Sequence, residues 1–191
     1  MTTEYIDTII IGAGLSGIGA AYHLQKNCPG KSLAILEGRE ALGGTWDLFR
    51  YPGIRSDSEM FAYSYEFKPW TERDSLATGE KLLKYLDETA SENGIKDKIR
   101  FNHKVVNLAW SSATARWTVE MEVNGKRKMI ECSFVLSCGG YYDYDKGYLP
   151  EYKNKEVCKG DFIHPQQWPE NLDYSNKKIV IIGSGATAVT L

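Results

Sequence analysis

The segment Gly12-Ala13-Gly14-Leu15-Ser16-Gly17 carries glycines at the spacing that holds a pyrophosphate. Gly12 permits a tight turn, and Gly14 lets backbone N–H groups approach the phosphates. Gly17 lets a helix sit close to the strand before it. A helix opening beside Leu15 and Ser16 directs the positive end of its dipole at the same charge. Glu37, at the end of the next strand, offers a carboxylate to ribose hydroxyls. That suits FAD or NAD and disfavours a 2′-phosphate. A second turn of the same kind, Gly183-Ser184-Gly185-Ala186-Thr187-Ala188, carries alanine in its last slot, a variant tolerated in NADP-binding turns.

The elements that must position these turns follow from the hydrophobic pattern. Tyr5 to Ile11 reads as a buried strand, Leu15 to Lys26 as a helix, and Ser32 to Leu36 as a second strand, together a βαβ unit. Ile18, Tyr22 and the Ala20-Ala21 pair form the inward side of that helix. Gly38 to Ala77 is a long irregular stretch, and loops of that length are usually functional. Thr78 is placed to cap a helix whose apolar face is Leu82, Leu83, Leu86 and Ala90, ended by Gly94.

From Arg100 onward the pattern is antiparallel: Trp117, Val119, Met121 and Val123 alternate with polar residues, and Asn124-Gly125 makes a hairpin turn. Phe134 to Ser137 reads as a buried strand running into Cys138-Gly139-Gly140. Lys178 to Gly183 reads as another buried strand before the second glycine turn. The fold class is therefore α/β: a three-layer Rossmann-type dinucleotide domain with a β-meander, followed by the start of a second Rossmann unit.

Composition excludes several other classes. The chain of 191 residues is 42% apolar and 25% charged, with a net charge of −2. This is a globular balance with no cationic patch for nucleic acid. No apolar run approaches the roughly 18 residues of a membrane span. The four cysteines form no Cys-x-x-Cys pair and no metal-ligand spacing with the three histidines. The expectation is reduced thiols, no metal and a cytoplasmic setting without a signal peptide.

The continuation after Glu37 separates FAD from NAD. Gly43-Gly44-Thr45-Trp46 follows the second strand as it does in flavoproteins. With Tyr51-Pro52-Gly53 and Asp57, Gly44 and Trp46 match the pattern Gly-x-Trp, Tyr-Pro-Gly, Asp of the flavin-dependent Baeyer–Villiger monooxygenases. Further on, Gly160, His164, Trp168 and Pro169 meet that family's fingerprint, Phe-x-Gly-x-x-x-His-x-x-x-Trp-Pro, with Cys158 in place of phenylalanine. The stretches Arg50 to Trp70 and His164 to Leu191 closely resemble the ethionamide-activating subgroup.

The resemblance implies FAD and NADP as cofactors. NADPH reduces FAD, and one oxygen atom of O2 passes to a ketone or to a thioether or thioamide sulfur; the partners are thus a small-molecule substrate and O2. It implies that Trp46 packs beside the flavin with Tyr63 nearby, and that Thr45 belongs to the turn supporting the pyrophosphate. Asp57 sits near the flavin and pairs with a catalytic arginine from a later part of the chain. The backbone of Val105 meets the adenine, with Arg39 over or beside that ring, and Gly183 and Gly185 receive NADP. His164 lies in a linker where an imidazole can exchange partners as the cofactor domain rotates.

The implied layout is an FAD domain over 1–145, a fingerprint linker over 146–177, and the opening of an NADP domain over 178–191, the N-terminal portion of such an enzyme. The expected consequences are an incomplete active site and self-association through uncovered apolar surface. Two alternatives stay open: a catalytically silent flavin-binding fragment, and an N- or S-oxygenating flavin-containing monooxygenase.

Overall fold

The computed structural model describes residues 3–191. Its centre is β1 (Glu4–Ile11), whose Ile9 and Ile10 are fully buried. On one side β1 pairs in parallel with β2 (Leu33–Leu36), which pairs in parallel with β3 (Ile99–Arg100). The meander consists of β4 (Lys104–Ser111), β5 (Arg116–Val123) and β6 (Lys126–Ser137), and the six strands run in the order β3-β2-β1-β6-β5-β4. β6 belongs to both halves. From Lys126 to Cys132 it is antiparallel to β5, and from Ile130 to Ser137 it is parallel to β1. One long strand thus carries the meander into the parallel sheet without breaking the ladder.

Helix α1 (Leu15–Asn27) starts directly after the first glycine turn. Its buried side includes Ile18 and Ala21, while Ala20 and Tyr22 are half-buried. Two single-turn helices, α2 (Thr45–Leu48) and α3 (Met60–Tyr63), interrupt the stretch expected to be irregular. Helix α4 (Gly79–Glu92) is capped as expected, with the Lys81 N–H donating to Thr78 Oγ1 at 3.3 Å. It buries Leu82, Tyr85, Leu86, Thr89 and Ala90. At its end Gly94 takes a φ of +61°, and the Ile95 N–H closes back on the Ala90 carbonyl at 2.8 Å.

The chain forms two compact units, each discontinuous in sequence: Met1–Trp46 with Leu82–Gly140, and Asp47–Lys81 with Tyr141–Leu191. All six strands lie in the first. The second is built mainly of loops, with 3-10 turns at Lys155–Val157 and Pro165–Gln167 and a short helix α5 (Ala186–Thr190).

Three sequence expectations need correction. Arg100 belongs to β3, which runs parallel to β2 with Leu36 opposite it, so the antiparallel pattern starts at β4, where the β5 partner is at hand. Phe134 to Ser137 is a paired strand but not a buried one: Phe134 is 68% exposed and Leu136 is exposed as well. A ladder satisfies the backbone in the plane of the sheet, whereas burial needs a layer over its face, and none of the described elements covers these side chains. Lys178 to Gly183 forms no strand, and Ile179, Val180, Ile181 and Ile182 are all exposed. Such an apolar run becomes a buried strand only when neighbouring strands flank it, and none of the described residues pairs with it.

Candidate functional site: a glycine-turn cradle

The first glycine turn sits where β1 meets α1. Gly12 has a φ of +98°, which side chains rarely adopt, and a Cβ there would lie 2.6 Å from the Cys138 carbonyl oxygen. Its N–H donates to the Leu36 carbonyl at 2.8 Å. Gly17 answers a different demand, because a Cβ on it would overlap the Gly12 carbonyl oxygen. The helix can therefore approach the strand as the spacing implied. Gly14, the N-cap of α1, is under neither constraint: its φ is −83°, and a Cβ would meet only the Gly44 Cα at 3.7 Å. No side chain caps α1 and no acidic residue stands in its first turn, so its positive end faces the turn unneutralised. Ser16 is exposed within that first turn.

The carboxylate of Glu37 is buried and braces this turn. Oε2 accepts the Ala13 N–H at 2.8 Å and Oε1 accepts the Arg39 N–H at 3.0 Å. A carboxylate has about four acceptor positions, so two amides leave capacity for ribose hydroxyls. The bracing role escaped the sequence reading, since nothing local to Glu37 signals a contact with Ala13. The Gly43-Gly44 turn closes on the same place, with the Gly43 N–H donating to the Ala13 carbonyl at 3.0 Å. Positive φ angles of 111° and 56° let these two glycines double back. Arg39 reaches across, its Nη1 lying 3.4 Å from the Gly44 carbonyl oxygen. Thr45 and Trp46 follow on α2, both half-buried.

Within the first unit the fold thus gathers Gly12, Gly14, Ser16, Gly17, Glu37, Arg39, Gly44, Thr45 and Trp46. Val105 belongs to the same region. Its neighbour Lys104 has its Cα 3.5 Å from where a Cβ on Gly38 would stand, and the β4–β5 register shifts between Val105 and Asn107. That bulge at the edge of the ladder had no signal in the sequence pattern. Cys138 directly follows β6 beside the turn, and burial pushes its thiol up, away from reactivity.

The remaining site residues lie in the second unit. Asp57 is exposed beside the buried Ser56, and among the described residues no ion pair joins it. Tyr63 is half-buried on α3. The second glycine turn matches the first at its helix-capping glycine, although its strand is missing and Gly183 has a φ of 154° where Gly12 has 98°. Gly185 caps α5 with φ −80° and ψ 176°, close to the −83° and −169° of Gly14. A cavity of about 230 Å³ lies beside this turn, lined by Phe49, Tyr51, Tyr142, His164, Gly183 and Gly185 among others. Phe49 and Tyr142 meet edge to face at 5.0 Å. A hydrogen bond to Tyr141, with burial and the negative charge of Asp57 adding to it, pushes the Tyr142 phenol up to about 12.

In the fingerprint, His164 accepts a hydrogen bond from the Gln166 N–H at Nδ1, 3.2 Å. Trp168 stacks edge-on with Tyr174 at 5.9 Å, and the Pro169 carbonyl accepts from the Leu172 N–H at 3.3 Å. Gly160 is exposed, with nothing near where its Cβ would be. Among the described residues no group of three His, Cys, Asp or Glu side chains could hold a metal, and no helix is long and apolar enough to cross a membrane.

Comparison with known proteins matches this geometry to a family. The profile of the pyridine nucleotide-disulphide oxidoreductases matches residues 9–191. The FAD-containing monooxygenase EthA of Mycolicibacterium smegmatis is 56% identical over 189 residues, covering 99% of this chain and 38% of its own length. The chain therefore spans well under half the length of that relative. An oxidized steroid monooxygenase bound to NADP superposes with a TM-score of 0.81 at 27% identity, over 97% of this chain and 36% of that one. A complex of OTEMO with FAD and NADP does so with a TM-score of 0.80 at 28% identity, over 99% and 36%. With a profile matching nearly all of it, the chain belongs to the pyridine nucleotide-disulphide oxidoreductase family, within the flavin-dependent Baeyer–Villiger monooxygenases and their EthA-like subgroup.

Proposed function

We propose that the protein is an FAD- and NADPH-dependent monooxygenase, in which the Gly12 turn holds FAD and the Gly183 turn receives NADP. One oxygen atom of O2 enters a ketone, or a thioether or thioamide sulfur. The other leaves as water, with NADPH supplying two electrons. The observation that carries this reading is the Gly43–Ala13 hydrogen bond, which brings a flavoprotein Gly-Gly turn onto the dinucleotide turn braced by Glu37. The residues fit a dinucleotide, since α1 begins without a side-chain cap and Gly14 leaves room at its end.

Bound FAD would accept the electrons of NADPH and activate O2. The chain's own residues bind and orient it. The first-turn amides of α1 would hold the pyrophosphate, Glu37 keeps acceptor capacity for the ribose, and Arg39 stands between Glu37 and Gly44. Trp46 leads from this cradle toward the flavin side. Asp57 orients a cationic partner that none of the described residues supplies. The relatives' names and the NADP and FAD bound to the solved structures support the same reading.

Gly14 is the position to test. Its backbone and surroundings accept a side chain, so Gly14→Val should fold normally by circular dichroism. The same side chain would stand in the pyrophosphate's place, and flavin affinity should fall about 100-fold or more. Gly17→Ala should instead destabilise the fold by about 1–3 kcal/mol, because its Cβ meets backbone. Wild-type protein offered equimolar FAD, FMN and NAD should retain FAD. Equal retention of FMN or NAD, or an unchanged flavin spectrum in Gly14→Val, would overturn the assignment.

A further inference from the structure

The fingerprint histidine is held in one chemical form by a neighbour that the family pattern does not include. A Cβ on Gly147 would fall inside the imidazole of His164, closer than 3.0 Å to Cε1, Nδ1 and Nε2 alike. The Nδ1–Cε1–Nε2 edge of the ring therefore lies close against the backbone of residue 147. Side-chain amides fasten the two segments together, that of Gln166 donating to the Asp143 carbonyl and that of Gln167 to the Asp145 carbonyl at 3.0 Å. His164 in turn caps the Pro165–Gln167 turn, taking the Gln166 N–H at Nδ1. A backbone N–H can only donate, so Nδ1 must present its lone pair, and the neutral ring carries its proton on Nε2.

We propose that Gly147 is a positioning residue: by lacking a side chain it seats the His164 ring so that Nδ1 stays bound to the Gln166 N–H and Nε2–H remains as a donor. The seated ring lines the cavity beside Gly183 and Gly185, where an Nε2–H suits an oxygen acceptor on a ligand. The φ of Gly147 lies outside the left-handed region, so its backbone accepts alanine and only the imidazole opposes one. Histidine has two side-chain torsions, so the ring can escape the new methyl only by swinging off its rotamer and leaving the Gln166 amide.

The test is nitrogen NMR of the histidine rings in the full chain, which has only His23, His103 and His164. His103 is an internal contrast, because its Nδ1 lies 2.7 Å from the Phe101 carbonyl oxygen and must donate. In wild-type protein at a pH where the rings are neutral, His164 should show a bare Nδ1 and a protonated Nε2, the reverse of His103. In Gly147→Ala the His164 pattern should be lost while that of His103 is kept. The melting temperature should drop by about 4 °C in the wild-type background. It should barely move when Gly147→Ala is added to His164→Ala, where no ring is left to clash. A Gly147→Ala protein that fails to fold while the double variant folds gives the same answer. Unchanged His164 nitrogens in Gly147→Ala, an equal loss of stability in both backgrounds, or failure of both variants to fold would overturn the proposal.

Discussion

Glu37 and Asp57 are both carboxylates set in turns, yet the fold treats them oppositely. Glu37 is buried with each oxygen held by a backbone N–H, and it shapes the cradle before any ligand arrives. Asp57 is exposed in the other unit, and its charge adds a minor part to the raised Tyr142 phenol. A carboxylate with no hydrogen bond to the cradle should not govern flavin affinity. In a chain extended to the length of its relatives, Asp57→Ala is therefore expected to keep its flavin absorbance and its reduction by NADPH. It should lose coupling, because an arginine oriented by Asp57 would be misplaced at the reacting centre. The measurement is hydrogen peroxide formed per NADPH consumed in the presence of substrate. A ratio equal to that of the wild type would remove Asp57 from the site.

At the scale of elements, the βαβ unit is pinned where β2 begins. Asp7 on β1 accepts the Ser32 hydroxyl at 2.7 Å, the Ser32 N–H at 2.9 Å and Lys31 Nζ at 3.2 Å. The Ser32 hydroxyl accepts the Asp7 N–H in return at 2.9 Å. This clamp precedes the first β1–β2 pair, Thr8 with Leu33, and helps set the register that brings Leu36 against Gly12. The Ser32 hydroxyl and N–H, helped by Lys31, hold the Asp7 carboxyl well below the usual carboxylate range. A carboxyl depressed in the folded state stabilises above its unfolded value of 3.8 and loses that contribution as pH falls further. Urea midpoints should show Asp7→Asn less stable than wild type at neutral pH, with the gap closing below about pH 4. Glu4 is also lowered, by its bond to Arg100, so part of the acid slope should survive in the variant. A gap that stays constant from pH 7 to pH 2 would show that Asp7 does not carry it.

At the scale of the whole molecule, one unit owns the sheet and the other owns most of the surface that lacks cover. Residues 179–182 are four consecutive β-branched side chains, all exposed, with Val180 at 83%. An apolar extended run with unpaired backbone is a template for another strand. The 191-residue chain is therefore expected to associate with itself as its concentration rises toward about 100 µM. Sedimentation velocity should show the shift, and Val180→Lys with Ile182→Thr should return the chain to a monomer. Equal association by the variant would move the contact elsewhere, with exposed Phe134 the next surface to change.

Periodicity and glycine spacing alone determined that β1, α1 and β2 form a strand–turn–helix–strand unit, that α4 is capped by Thr78, and that β5 and β6 form a hairpin. These are local matters, settled by which residues tolerate a turn or present one apolar face. Resemblance to a family then added FAD and NADP, which spacing alone did not distinguish. Only the tertiary structure decided that Glu37 braces Ala13, that Gly43 bonds to Ala13, and that Gly147 lies under His164. Each of these joins residues far apart in the chain, and no periodic pattern records such a contact. Tertiary structure also decided against burial for Phe134 and Ile179–Ile182, whose side chains read as core. Hydrophobicity states what a side chain favours, but burial depends on which other elements arrive to cover it.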